Sequence, residues 1–383
     1  MRTLTAILTG MLLTLPGACI GAEAIDSIEA LGRALFFDVN LSRNRTQACA
    51  TCHSPEFGFT DPRGNASGRA VSLGDDDRSL GDRNAPTASY AAFSPPFHLK
   101  DNGRYVGGQF LDGREQDLAA QAGGPPLNPV EMGMPDKAAV VARLRENPSY
   151  IAAFDRFFGA DILARPDAAY KAMTESIAAF ERTDFFAPFD SKYDRYLRDE
   201  YRMTAQEDLG MTLFFSQQFT NCNLCHQLKS TPASAEETFS NYEYHNIGTP
   251  VNPAARAVNG VASDHVDRGL LDNPAVDDPK QAGKFKVPTL RNVAVTGPYM
   301  HNGVFKDLRT VVLFYNKYNS RSAKRQINPE SGENWRAPEV PENLSLKELE
   351  TGPALDDRRI DALVAFMRTL TDRRYEHLLN KQP

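Results

Sequence analysis

The chain has 383 residues, 41% of them hydrophobic and 24% charged, a balance that suits a globular protein with a sizeable core and is long for one domain. Its formal charge of −6 comes without any basic run, which argues against a nucleic-acid partner.

The N-terminus differs from the rest. Arg2 precedes an apolar run over 4–15, followed by the helix-breaking stretch PGACIGAEA. A positive start, a short apolar stretch and small residues make a cleavable export signal, predicted as residues 1–22. The run is short for a bilayer span. Cys19 raises lipid attachment as an alternative, which Pro16 disfavours by standing where such signals prefer leucine. Cleavage after Ala22 removes one arginine and no acid, taking the charge from −6 to −7. The expected product is exported and has no membrane span.

Beyond the signal the chain repeats itself. SIEALGRALFFDVNLSRNRTQACATCH and TAQEDLGMTLFFSQQFTNCNLCH each carry a helical run that ends in Leu-Phe-Phe ahead of a Cys-x-x-Cys-His motif. Between them, 165–197 reads as a long helix broken at Pro188, and Pro/Gly-rich loops dominate 54–135 and 230–300. In VVLFYNKY, Val311, Val312, Tyr315 and Tyr318 recur at helical spacing, on a helix beginning near Asp307. DDRRIDALVAFMRTL closes the chain as an amphipathic helix. No stretch sustains strand alternation, so the expected fold is mostly α, with long irregular loops. The expected layout is an N-terminal unit over 23–165, a helical connector over 166–203 and a C-terminal unit over 204–383.

Four cysteines remain after the signal, Cys49, Cys52, Cys222 and Cys225, in the motifs CATCH and CNLCH. Each is the attachment pattern of a c-type haem: two thiols bond to the vinyl groups of one porphyrin, and the next residue supplies the proximal imidazole. A Cys₄ zinc ribbon would need its pairs about 15–20 residues apart. Thioredoxin-like motifs lack the following histidine, and two disulfides would not explain a histidine after each pair. The reading is two covalently bound c-type haems, ligated by His53 and His226, each in a cytochrome c-like helical domain.

GGQFLDGREQDL, GPPLNPVEMG, YHNIGTP and FKVPTLRNVAVTGPYMHNGVFKDL resemble motifs of the bacterial di-haem cytochrome c peroxidases, in family order over nearly the whole mature chain. From FKVPTLRN to LTDRRYEHLL the chain is most similar to the methylamine-utilisation branch, whose task is to oxidise a precursor of methylamine dehydrogenase and complete its tryptophan tryptophylquinone cofactor. The resemblance implies a periplasmic oxidoreductase with a reactive N-terminal haem and a six-coordinate C-terminal one. It would use hydrogen peroxide, or O2 plus electrons from a donor protein, to reach a high-valent state and oxidise a protein substrate.

Ordinary family members ligate the C-terminal haem with a methionine supplied after the PYxHxG motif. Here the only methionines beyond the second haem motif are Met300, inside PYMHNG, and Met367, on the closing helix. Tyr315 stands where that ligand should come from, and the resemblance implies a tyrosine ligand there, with Tyr318 and His301 as rivals. Phenolate favours oxidised iron, whereas thioether sulfur favours reduced iron. At the N-terminal haem, Gly81 and Asp82 occupy the place of a blocking histidine and His98 is expected to be structural, so His53 would hold an open haem. The family pattern places Gln121 and Glu131 in the distal pocket as hydrogen-bond donor and acid/base. Glu131 alone would pass for a surface acid in a proline-rich loop.

The resemblance further implies one calcium ion on Asn84, with the carbonyls of Thr296 and Pro298, an oxygen set suited to a hard cation. His245 and His301 would meet haem edges or propionates, and His265 and His377 would be exposed. The pattern breaks at FLDGR, where Leu111 replaces a tryptophan that the family places between its haems, leaving Phe110, Tyr105 or direct tunnelling. The only tryptophan, Trp335, falls in a polar loop, and FTNCNLCH lacks the surface tryptophan of the branch. Two other functions compete: a cytochrome c peroxidase that detoxifies peroxide, and a di-haem electron carrier with no catalysis.

Overall fold

The computed structural model describes residues 25–228 and 236–380, so the expected signal segment lies outside the described residues. Helices carry the fold: α1 (Ile28–Phe36), α2 (Cys49–Cys52), α3 (Leu118–Ala122), α4 (Lys137–Leu144), α5 (Pro148–Phe158), α6 (Pro166–Glu181) and α7 (Lys192–Leu197) come first. They are followed by α8 (Ala205–Phe215), α9 (Pro253–Arg256), α10 (Leu308–Asn316), α11 (Leu346–Leu349) and α12 (Asp357–Arg368). Sheet among the described residues is confined to two antiparallel pairs of two-residue strands: β1 (His98–Leu99) with β2 (Tyr105–Val106), and β3 (Tyr244–His245) with β4 (Phe285–Lys286). The protein is mostly α, as the sequence predicts.

Two apolar cores follow a common plan. In the first, Ser27 caps α1 by accepting from the Ala30 N–H at 3.1 Å, and Leu31, Leu35 and Phe36 turn inward. That face lies on α6 so closely that a Cβ on Gly32 would sit 1.9 Å from the Ser176 carbonyl oxygen. Phe36 meets Phe180 and Phe186 edge to face at centroid distances of 5.7 and 5.4 Å.

The second core repeats the device. Thr204 and Glu207 form a capping box at the start of α8. A Cβ on Gly210 would lie 1.9 Å from the Ala362 carbonyl oxygen of α12, and Phe214 packs on Phe366 at 5.2 Å. The two Leu-Gly-x-x-Leu-Phe-Phe runs are thus one helix-crossing device used twice, with glycine at the closest approach.

The expected connector divides between the cores. α6 ends at Glu181 and belongs to the first, whereas Tyr193 of α7 packs on Phe239 and Phe366 in the second. The end of α6, with Arg182 as its C-cap, thus falls well before the break expected at Pro188.

Polar groups tie the cores together. Arg83 grips Asp267 with two bonds, at 2.7 and 2.6 Å, and Asp112 with a third at 2.6 Å. Tyr375 donates to the Pro55 carbonyl at 2.8 Å, and Tyr90 donates to Asp372 at 2.7 Å. Arg291 and Asp194 form a bidentate pair, both fully buried, under the second core.

Candidate haem centres and the space between them

Each Cys-x-x-Cys-His motif forms a single helical turn. α2 holds Cys49 and Cys52 one turn apart, and the His53 N–H closes it on the Cys49 carbonyl at 2.9 Å. Cys222–Leu224 makes the corresponding 3₁₀ turn, with the His226 N–H on the Cys222 carbonyl at 3.0 Å. All four cysteines are free thiols, and burial pushes each up, to about 11 for Cys222 and about 12 for the others.

The two imidazoles are anchored alike. His53 Nδ1 lies 3.2 Å from the Phe59 carbonyl, and His226 Nδ1 lies 2.9 Å from the Phe239 carbonyl. A carbonyl only accepts, so Nδ1 carries the proton and Nε2 keeps its lone pair free for a metal. Phe59 and Phe239 both sit in the left-handed region, at φ 55° and 56°, and the shared strain marks a shared task. Burial lowers His53 and takes His226 down to about 4, so both rings are neutral near pH 7.

Beside His226 opens a mainly apolar cavity of about 360 Å³. Cys222, Cys225, Tyr315, His245 and His301 line it. Burial, and then Cys225 and Cys222, raise the Tyr315 phenol above its ordinary range, and among the described residues its hydroxyl makes no hydrogen bond. Tyr318 is committed elsewhere: its hydroxyl donates to the Ile247 carbonyl at 3.0 Å. Met300 and Met367 also line the cavity, so nearness alone does not separate sulfur from phenol. Among the described residues His245 and His301 each bury an Nε2 that makes no hydrogen bond, that of His301 lying 4.0 Å from Glu339 Oε2, and His301 stacks on Phe285 at 3.7 Å. Orphaned nitrogens on an apolar cavity beside two thiols fit a flat apolar group with a polar rim, which haem is.

At the first centre, Glu131 is close enough to Cys49 and Cys52 to raise both thiols. Burial raises its own carboxyl, while Arg114 and an Asn128 hydrogen bond oppose the rise. Its carbonyl accepts from the Asp75 N–H at 2.7 Å, which fixes the loop. Gln121 is the penultimate residue of α3 and half-buried, and its backbone carbonyl accepts from the Gly124 N–H at 2.9 Å; among the described residues no hydrogen bond joins its side chain to Glu131. His98 is exposed on β1, Asp82 is held by Arg256 at 2.7 and 2.8 Å, and His265 and His377 are exposed.

Between the centres runs the Phe110–Leu111 step. Arg114 lies 3.6 Å over the Phe110 ring, a Cβ on Gly124 would lie 3.4 Å from that ring, and both Phe110 and Leu111 reach the second cavity. Leu111 therefore lines the cavity beside His226, next to Phe110. Asn84, Thr296 and Pro298 line the same cavity; the Asn84 amide donates to the Ala70 carbonyl at 2.9 Å, which leaves its oxygen for a cation.

Several residues here escaped the sequence reading. Lys286 is half-buried on the cavity wall, its ammonium enclosed on the Gly108 carbonyl, and desolvation brings it down to about 7. Trp335 is no loop residue in isolation: it packs on Phe305 and Phe314 at 5.6 and 5.5 Å and donates to the Arg325 carbonyl at 2.8 Å. Tyr90 and Asp372 come together from positions 282 apart, which no local pattern reveals.

Over 379 residues the chain is 56% identical to the methylamine utilization protein MauG of Paracoccus denitrificans, covering 98% of this chain and 97% of that protein. The chain belongs to the di-haem cytochrome c peroxidase family. The family's own profile, di-haem cytochrome c peroxidase, matches residues 26–202. The di-haem peroxidase BthA of Burkholderia thailandensis superposes with a TM-score of 0.80 at 32% identity, covering 93% of this chain and 88% of that one. A MauG-like protein associated with microbial copper homeostasis gives 0.65 at 29% identity, over 90% and 89% of the two chains. Membership makes this an oxidoreductase of the di-haem peroxidase type, with two haems. No helix among the described residues is long and apolar enough to cross a membrane.

Proposed function

We propose that the chain is a periplasmic enzyme that draws oxidising equivalents from hydrogen peroxide, or from O2 plus electrons, and spends them on a protein substrate. The substrate is the methylamine dehydrogenase precursor, whose tryptophan tryptophylquinone cofactor is thereby completed, as the name of the 56% identical relative suggests. The observation that carries the reading is Tyr315: its free hydroxyl shares a cavity with Cys222, Cys225 and His226 while Tyr318 is tied down.

In this reading each half is a cytochrome c-like unit around one haem, attached through Cys49 and Cys52 in the first and Cys222 and Cys225 in the second. His53 ligates the first iron; His226 and Tyr315 ligate the second. Bound haem supplies the peroxide-binding and electron-storing chemistry. The chain's own work is placement and protons. The Phe59 and Phe239 carbonyls orient His53 and His226, while burial keeps both rings neutral. Glu131, whose carboxyl burial raises, would serve as the acid/base that carries a proton between the peroxide oxygens, and the Gln121 amide would donate a hydrogen bond in the same pocket. Calcium held by Asn84, Thr296 and Pro298 would pin the segment before the first junction to the loop before α10. An electron-donor protein serves the O2 route.

A peroxide-detoxifying peroxidase is the second reading, favoured by the two cavity methionines. Absorption and EPR spectra of the ferric protein, with and without one equivalent of peroxide, separate these from a carrier inert to peroxide. Tyr315→Phe is expected to change the low-spin spectrum of the second haem, whereas Met300→Leu and Met367→Leu leave it as it was. The reverse pattern assigns sulfur to the iron and selects the detoxifying enzyme.

A further inference from the structure

Leucine has no ring to oxidise, so the junction at Leu111 needs another group if electrons are to step between the centres. Four tyrosines line the cavity: Tyr90, Tyr242, Tyr299 and Tyr315. A tyrosine yields an electron near neutral pH only when its phenolic proton has a base to receive it, so the hydrogen-bond partner discriminates among them. Tyr242 donates to the Thr238 hydroxyl at 2.8 Å and Tyr299 to the Val293 carbonyl at 3.0 Å, neither of which is a base. Tyr90 alone of the four donates to a carboxylate, Asp372 Oδ1, at 2.7 Å.

That pair is built rather than incidental. Tyr90 is 1% exposed and Asp372 0%, so the pair is shielded from bulk solvent. The other Asp372 oxygen accepts from the Asn292 amide at 2.8 Å, and the Asp372 N–H donates to the Asn292 carbonyl oxygen of that amide at 2.9 Å. The Tyr90 hydroxyl also accepts from the Phe189 N–H at 3.2 Å, which fixes the direction of its own proton.

Tyr90 is linked to the first centre as well. The Phe59 carbonyl that anchors His53 also accepts from the Ala88 N–H at 3.3 Å, two residues before Tyr90. The Tyr90 N–H donates to the Phe186 carbonyl at 3.2 Å, and the Phe186 ring stacks on Phe59 at 4.4 Å. Tyr90 thus borders the second cavity and is bonded back to the imidazole of the first.

We propose that Tyr90 is a redox-active relay between the two haem sites, with Asp372 as the acceptor of its proton. Resting on the haem assignment above, the step balances as follows. Hydrogen peroxide is the oxidant; Tyr90 loses one electron to the peroxide-oxidised centre, its O–H bond breaks, and an O–H bond forms on Asp372. One electron from the protein substrate and the proton from Asp372 then restore the phenol. Burial raises Asp372 to about 6, so at neutral pH it is an ionised base. The groups facing the pair are Asn292, Arg291, Asp190 and Asp194, and the Arg291 guanidinium, 5.4 Å from the Tyr90 ring, works against the rise.

The test is EPR of the di-haem protein frozen shortly after mixing with hydrogen peroxide. The parent is expected to show a tyrosyl radical coupled to one solvent-exchangeable proton, visible by comparison in D2O, with its yield falling below about pH 6 as Asp372 protonates. Tyr90→Phe is expected to lose the signal while both ferric haem spectra stay as in the parent; Asp372→Asn weakens it and removes the pH dependence. A signal undiminished in Tyr90→Phe, or no tyrosyl signal in a parent that consumes peroxide, overturns the relay. A protein lacking two haem spectra overturns instead the assignment beneath it.

Discussion

At the scale of single residues, burial sets the chemistry. Glu131 in a loop rich in proline and glycine would be a surface acid, yet it lies beside Cys49 and Cys52 with its carboxyl raised. Glu131→Gln is expected to abolish reaction with peroxide, followed by stopped-flow absorption, while both haem spectra stay near normal. Glu181 is a second buried acid near Cys49, 6% exposed, with Oε2 unpaired and its carboxyl raised from 4.5 to about 8. Between those values the folded state holds a proton that the unfolded chain has lost, so stability falls as pH rises through that window. Glu181→Gln should remove this slope, its advantage over the parent growing from about pH 5 to about pH 8 to a few kcal/mol in urea unfolding. The two Cys-x-x-Cys-His motifs were legible because their spacing is itself a chemical pattern. Glu131 needed the family motif, and Glu181 and Asp372 could not be read at all, because burial is a property of the fold and not of the neighbouring sequence.

At the scale of elements, the decisive contacts are two helix crossings, α1 on α6 and α8 on α12, each admitting no side chain at its centre. Gly32→Ala and Gly210→Ala must each push a helix off a carbonyl oxygen that a Cβ would meet at 1.9 Å. Each is expected to cost about 1–3 kcal/mol or more in thermal or denaturant unfolding, whereas Gly64→Ala, with nothing within 4 Å, should change little. The repeated Leu-Phe-Phe was visible in the sequence, and so was the helix it ends. Its partner was not: α6 reads as a connector because its length and position between the haem motifs say nothing of the surface it covers. The four two-residue strands were equally invisible, being too short to leave an alternation.

At the scale of the whole molecule, charge pairs join what the apolar cores keep separate. Arg83 holds Asp112 and Asp267, whose side chains are 4% and 5% exposed, and links segments 184 residues apart. Removing the guanidinium leaves two buried carboxylates without it, at a cost of about 3–5 kcal/mol. Arg83→Gln is expected to lower the unfolding midpoint and to resolve one urea transition into two, as the cores part before either melts.

Trp335 gives that experiment its own lamp. It is the only tryptophan in the chain, and it sits on Phe314, the neighbour of Tyr315, half-buried against the second core. Its emission therefore reports one half of the protein and is blind to the other. A haem held at Tyr315 would keep the indole dark by energy transfer, so light should appear only when the C-terminal half opens, whatever the N-terminal half has already done.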